Sequence, residues 1–127
     1  MSVFNAHIPR GKFSPKQKRA LADALNQSLA QGAKPAEGDR LIVLSEYGPN
    51  ELFLYPPFGE TPELTSAVII TAPVGSHRTL EDRHRLAVEI NRLVVSAVGI
   101  PSDDIFITLA PEPGWNEPNL GRIWPWD

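Results

Sequence analysis

The sequence predicts an α/β fold of the two-layer α+β sandwich type, a four-stranded mixed sheet with two helices on one face, built from a tandem β-α-β repeat. Two observations support this prediction. A shift of 65 positions places Ser14 on Thr79 and Asp39 on Asp104 within the 127-residue chain. Each half also carries one stretch of apolar residues at helical spacing between two short apolar runs. The length fits a single domain, residues 1–127, with one core.

The first repeat, about residues 1–45, is predicted to run strand, helix, strand. Residues 3–8 alternate as a short half-buried strand does. Ser14 then opens the stretch SPKQ, which combines a helix cap, a proline at the first helical position and a glutamine that completes a capping box. Gly32 ends the helical pattern. Residues 41–44, Leu-Ile-Val-Leu, supply the second strand.

The second repeat, about residues 67–110, follows the same plan. An apolar strand at 67–71 precedes the stretch TLED, in which Thr79 is the expected cap and the acidic residues lie in the first turn. The helix leaves through Gly99, and residues 105–109 form the last strand. A connecting loop at 46–66 joins the repeats and contains a strand-like piece at 51–55. The tail, 111–127, is predicted to be loop.

The sheet face away from the helices is predicted to meet other copies of the chain. Both helices cover one face, and the other carries mixed residues such as Asn5, His7 and Ile69. A sheet face of this kind is usually covered, and identical chains cover it most simply in a closed oligomer. We therefore expect a homo-oligomer.

Composition excludes several classes of partner and site. Twelve Lys and Arg against 15 Asp and Glu give a net charge of −3 without a basic stripe, so no nucleic-acid partner is expected.

The chain has no cysteine, which excludes disulfides and thiolate metal sites. No histidine and carboxylate spacing suggests a metal, and we expect no cofactor. No apolar run approaches the ~20 residues of a membrane span and no signal-peptide pattern is present, so a cytoplasmic location is expected.

Five segments give the chain a resemblance to a known family. They are VFNAHIPRGKFSPKQKRALADAL, KPAEGDRLIVLSEY, ITAPVGSHRTLEDRHRL, GIPSDDIFITLAPEP and GWNEPNLGR, in this order over nearly the whole chain. Together they resemble the tautomerase superfamily, and in particular its long-chain members around malonate semialdehyde decarboxylase. The resemblance implies a tautomerase-like fold, a homotrimer, and a small carboxylated keto or enol compound as substrate. It is more specific for the fold than for the reaction.

The first strand departs from the family pattern at its catalytic position. Family members carry an amino-terminal proline whose nitrogen does the chemistry, and Ser2 stands at the matching position here. With Met1 retained, the Ser2 nitrogen belongs to a peptide bond and cannot act as a base. With Met1 removed, Ser2 offers a primary amine with a pKa of about 7.7, which can take a proton or form an imine. The alternative is a first strand with a structural role only.

Asp39 and Arg40 match a pair that relatives carry just before their second strand. The resemblance implies that Asp39 orients water or substrate and that Arg40 contributes to substrate binding. The other interpretation is that Asp39 caps a turn and Arg40 makes a surface ion pair. Asp104 occupies the equivalent turn of the second repeat with no arginine after it, which favours that second interpretation.

Arg78 matches an arginine that binds the substrate carboxylate in relatives. An arginine fork suits a carboxylate because two parallel charge-assisted hydrogen bonds fix its orientation, and the helix that starts at Thr79 also favours an anion. The alternative is an ion pair between Arg78 and Glu81 or Asp82. Relatives of the decarboxylase type have a second arginine where Ser76 stands, so carboxylate binding is expected to be weaker and decarboxylation is disfavoured.

Two further positions complete the expected surroundings of the site. His77 adjoins Arg78 and is a candidate replacement acid or base or a binding residue. Trp115 either anchors the tail on the core or, as in relatives, lines the pocket. Outside the site, the pattern of the second helix places His84, with Arg83 and Arg85, toward solvent.

The sequence as a whole predicts a protein that acts on or binds a small carboxylated keto or enol compound by tautomerisation or hydration. The activity is expected to be weak or altered because Ser2 replaces the catalytic proline. One alternative is a non-catalytic trimeric scaffold or binding protein that has lost tautomerase activity. Another is an enzyme of different chemistry that uses only the pocket and its arginine.

Overall fold

The computed structural model describes residues 2–32, 40–55, 66–75 and 78–112. Both repeats form as predicted, and β2 and β4 lie 65 positions apart, while β1 and β3 lie 66 apart because the loop into the second helix is one residue shorter. The elements in chain order are β1 (Ser2–Pro9), α1 (Pro15–Gly32), β2 (Arg40–Tyr47), β3 (Val68–Gly75), α2 (Leu80–Val98), a 3₁₀ turn (Ser102–Asp104) and β4 (Ile105–Glu112).

The four strands form one mixed sheet in the order β2-β1-β3-β4. β1 is parallel to β2, β3 is parallel to β4, and the two central strands, β1 and β3, are antiparallel. The starts of β1 and β2 therefore lie at the same end of the sheet as the ends of β3 and β4. We call this the Ser2 end of the sheet; it is formed by Ser2, Arg40, Gly75 and Glu112.

The core lies between the sheet and the two helices. Alternate residues of each strand face the core, as the period of two requires; they are buried in β1 and β3 and mostly half-buried in β2 and β4. The helices α1 and α2 pack against each other over that face. The predicted two-layer arrangement with both helices on one side is confirmed. The largest fully buried apolar side chains are Phe4, Ile8, Leu21, Leu25, Val68, Ile70, Ile90 and Val94.

The other sheet face is uncovered in the single chain. Leu41 and Val43 of β2 are 48% and 42% exposed there, although both are apolar. On β1, the His7 ring shares a hydrogen bond of 2.9 Å between its Nδ1 and the Tyr47 hydroxyl. The face thus combines exposed aliphatic side chains with one polar pair.

The prediction of a strand-like piece at 51–55 is wrong. The chain turns at Gly48, whose N–H donates to Glu51 Oε1 over 3.1 Å, and residues 52–55 follow without regular structure. Phe53 and Tyr55 are exposed. Their β propensity describes a fit to a half-buried pleated surface, and within the described residues no strand pairs with this segment.

A reciprocal capping box fixes the start of α2. The Asp82 N–H donates to Thr79 Oγ1 over 3.0 Å, and the Thr79 N–H donates to Asp82 Oδ2 over 3.1 Å. The hydrogen bond from the Thr79 backbone is the main reason that the pKa of the Asp82 carboxyl lies below its ordinary value. Because this folded-state pKa is lowered, its contribution to stability is present above the unfolded pKa and is lost as the pH falls through the folded one.

We expect Thr79→Ala to lower the free energy of unfolding by about 1 kcal/mol, since it removes the side-chain acceptor of one otherwise unpaired helix N–H. Urea unfolding at neutral pH measures the change. Ser96→Ala, on an exposed position of the same helix, is the control and should stay within about 0.5 kcal/mol of the unmodified chain. Equal losses in the two variants would contradict the role given to the cap.

Candidate functional site

The strand register brings two predicted site residues together at the Ser2 end of the sheet. Ser2 and Arg40 are partners in the parallel pairing of β1 and β2. On the other side of β1, Asn5 pairs with Thr71 in β3. Continuing that register places Ser2 beside Val74, one residue before β3 ends. The start of β1 thus lies between the start of β2 and the end of β3.

Arg78 lies three residues beyond β3, immediately before the cap of α2. Three residues span at most ~11 Å, so the backbone of Arg78 stays close to the end of β3. Its side chain is half-buried. Within the described residues it makes no hydrogen bond or ion pair, and its charge is the smallest of the influences that lower the pKa of Asp82.

The acidic residues named as alternative partners of Arg78 are engaged by another arginine. Arg85 NH2 lies 3.2 Å from Glu81 Oε1, and its NH1 lies 3.8 Å from Asp82 Oδ1. Asp82 also accepts the capping hydrogen bond from Thr79. Within the described part of the chain, the ion pair proposed between Arg78 and these residues does not form, and the Arg78 guanidinium keeps its capacity to bind an anion.

The prediction that Arg83 faces solvent is wrong. Arg83 is half-buried, and its Nε atom is buried without a hydrogen-bond partner among the residues that the structure covers. It precedes the buried Leu86 by three residues and the buried Ile90 by seven, so it lies on the core-facing stripe of α2. The sequence itself shows this spacing. Once the start of α2 is known, the spacing tells which face of the helix carries Arg83.

Three predicted site residues, Asp39, His77 and Trp115, lie outside the described residues. Asp39 and His77 directly precede Arg40 and Arg78 in the sequence, and Trp115 follows β4 by three residues. Their roles remain predictions. The side chains of Ser2 and Arg40 are likewise outside the description, so the structure places only their backbones.

The described residues contain no group of three or more histidine, aspartate and glutamate side chains that would hold a metal ion. Across the same residues, no helix has the length and hydropathy needed to cross a membrane. The described site offers the guanidinium of Arg78 beside the start of a helix, which suits recognition of a small anion.

Comparison with known proteins identifies the fold. No protein-family model and no curated protein matches the chain. Among solved structures, the chain is similar to a Q0 fused 4-OT symmetric trimer, with a TM-score of 0.77 and 22% identity over 94% of this chain and 93% of that one. It is similar to N1, a member of the cis-3-chloroacrylic acid dehalogenase family, with a TM-score of 0.77 and 22% identity over 97% and 83%.

A third similar structure is malonate semialdehyde decarboxylase, with a TM-score of 0.76 and 18% identity over 94% of this chain and 91% of that one. These proteins are tautomerase-superfamily members. The chain has the tautomerase-superfamily fold, as the resemblance of its sequence predicted.

Proposed function

We propose that this chain, which has the tautomerase-superfamily fold, binds a small carboxylated keto or enol compound at the Ser2 end of the sheet and catalyses its tautomerisation or hydration. One observation carries the proposal. Arg78 is a half-buried arginine just before the start of a helix, it has no hydrogen bond or ion pair within the described residues, and it lies near the start of β1. A small carboxylate is the partner that this arrangement recognises best.

In the proposed mechanism, Arg78 binds the substrate carboxylate through two parallel hydrogen bonds. The Ser2 amine, once Met1 is removed, takes a proton from the substrate carbon or enol oxygen and returns it to the other atom. Asp39 is the alternative group for moving the proton or activating water. Arg40 and His77 contribute to binding, and Trp115 lines the pocket.

The similar structures and the uncovered sheet face support a homotrimer. The solved structures with this fold include fused 4-OT trimers. A second copy of this chain packed on the open face would cover Leu41 and Val43, which the single chain leaves exposed. A cytoplasmic location stays a prediction from the sequence.

A non-catalytic binding protein is the second candidate, and Ser2 favours it. A serine at the proline position removes the secondary amine on which the family chemistry depends, while leaving Arg78 in place to bind a carboxylate. The intact mass of the purified protein tests the first requirement of the enzyme, removal of Met1. Binding of phenylpyruvate without turnover of phenylenolpyruvate by the trimmed chain would favour the second candidate.

We expect Arg78→Met to weaken binding of phenylpyruvate about 10- to 100-fold, the loss that a charge-assisted hydrogen bond of about 1.5–3 kcal/mol implies. Titration calorimetry measures the change. Arg92→Met, which removes an exposed arginine farther along the same helix, is the matched control and should bind as the unmodified chain does. Unchanged binding in the Arg78 variant would place the pocket elsewhere.

A further inference from the structure

We propose that Arg78 and Arg83 together clamp a single carboxylate, so that Arg83 supplies the second guanidinium that Ser76 does not. This proposal rests on the proposed function and assigns a further binding residue to the same site. Three observations support it: the positions of the two arginines on either side of the cap of α2, the buried Arg83 Nε atom without a described hydrogen-bond partner, and the pairing of the nearby acidic residues with another arginine.

The capping box sets the two arginines at positions from which their side chains can reach the same space. Thr79 is the N-cap of α2, so Arg78 lies one position before the cap and Arg83 is the fourth residue of the helix. In helices that begin with a capping box, side chains at these two positions often pack against each other, and they are usually apolar. Here both are arginines, and both are half-buried.

Two like charges that share this space at the start of α2 are disfavoured, and an anion bound between them would remove that cost. Asp82 compensates this charge only in part: Arg78 is the weakest of the groups that lower its pKa, and Asp82 is shared with Arg85. No described carboxylate forms an ion pair with Arg78 or Arg83.

The other arginines differ from these two. Four of the described arginine side chains each lie within ion-pair distance of a carboxylate, whereas Arg78 and Arg83 make no such pair within the described residues. The four pairs are Arg10–Glu51, Arg19–Asp23, Arg85–Glu81 and Arg92–Glu89. The acidic residues of the first turn of α2 thus pair with the exposed Arg85 and form no ion pair with the half-buried Arg78 and Arg83.

A carboxylate satisfies the pair better than other small ligands. Its two oxygens accept up to about four hydrogen bonds, enough for one fork from each arginine, and its charge relieves the repulsion. It also gives the buried Nε–H of Arg83 an acceptor, which that atom lacks among the described residues. The helix start adds a favourable dipole at the same point.

The test is Arg83→Met, which keeps the long apolar stem and removes the guanidinium. We expect phenylpyruvate to bind about 10- to 100-fold more weakly than to the unmodified chain. The uncharged methyl ester of phenylpyruvate should bind both proteins equally. Arg92→Met is the matched control and should retain full affinity for phenylpyruvate. In the unmodified chain, phenylpyruvate should also shift the Nε–H resonance of Arg83.

Thermal unfolding separates this role from a packing role. Without ligand, Arg83→Met should melt at the same temperature as the unmodified chain or above it, because the repulsion with Arg78 is gone. Phenylpyruvate should raise the melting temperature of the unmodified chain and not that of the variant. A lower melting temperature with an unchanged ligand-induced rise would overturn the clamp.

The two arginine variants together distinguish the possible failures. Weak binding by Arg78→Met with full binding by Arg83→Met would overturn the clamp and leave the proposed function standing. Full binding by both would overturn the proposed site as well. Weak binding by both, with a normal control, is the result that the clamp requires.

Discussion

A chain with Ser2→Pro and Met1 removed is expected to convert phenylenolpyruvate to phenylpyruvate about 10²–10⁴ times faster than the trimmed Ser2 chain. The range is the usual contribution of a positioned general base, and the gain is smaller by the part that the Ser2 amine already supplies. The substitution places a secondary amine at the first residue of β1, the strand between β2 and β3. The pyrrolidine ring fixes the direction of the nitrogen, whereas the serine amine rotates freely about its bond to Cα.

The controls for this prediction use the same substitution. With Met1 retained, the proline nitrogen is part of a peptide bond, and no gain is expected; intact mass identifies the two forms. Arg78→Met in the trimmed Ser2→Pro chain should weaken catalysis, because the carboxylate would no longer be held beside the amine. A trimmed Ser2→Pro chain that is no faster than the Ser2 chain would show that the rest of the pocket is not competent, and would favour the non-catalytic alternative.

Local signals in the sequence predicted the helices well. The SPKQ stretch that begins with Ser14 forms the expected capping box, with Gln17 N–H donating to Ser14 Oγ over 3.1 Å and Ser14 N–H donating to Gln17 Oε1 over 2.9 Å. Gly99 takes the left-handed conformation, with φ of 80°, that ends α2. These features depend on residues within one turn of each other, so the sequence contains all the information needed.

Strand ends depend on partners far away in the sequence, and there the prediction fell short. β2 was expected to stop at residue 44, but it continues to Tyr47 because Tyr47 pairs with Pro9 in β1. β3 likewise runs to Gly75, beside Glu112 of β4. A run of Ser, Glu and Tyr has no apolar pattern of its own to extend a strand, and the neighbouring strand decides.

The residues of the candidate site also include one that the sequence predicted and one that it did not. Arg78 was predicted from the family resemblance; the structure confirms its position before the capped helix, and its binding role stays a prediction. The half-buried position of Arg83 was missed because the sequence prediction treated Arg83, His84 and Arg85 as one solvent-facing run, of which only His84 and Arg85 are exposed. Polarity alone does not distinguish a half-buried arginine at the start of a helix from a solvated one. Only the spacing to Leu86, combined with the position of the cap, shows that Arg83 faces the core.

Phe4→Ala is expected to lower the free energy of unfolding by about 3–5 kcal/mol, the range for removal of a buried aromatic side chain. Phe4 has no exposed surface and lies in the main core cluster. It belongs to β1, which pairs with both β2 and β3, so neither neighbour can move to fill the space without breaking strand pairing. Urea unfolding measures the loss, at one fixed protomer concentration because an oligomer would make stability concentration-dependent.

The matched control is Leu80→Ala, which also shortens an apolar side chain but at a position that is 75% exposed at the start of α2. It should change the free energy of unfolding by no more than about 0.5 kcal/mol. A loss below about 1.5 kcal/mol in Phe4→Ala would contradict the placement of β1 in the core. Because β1 carries Ser2 at its first position, Phe4→Ala in the trimmed Ser2→Pro chain should also slow turnover of phenylenolpyruvate under conditions where the protein stays folded. The same variant would then link the packing of the central strand to the position of the proposed catalytic amine.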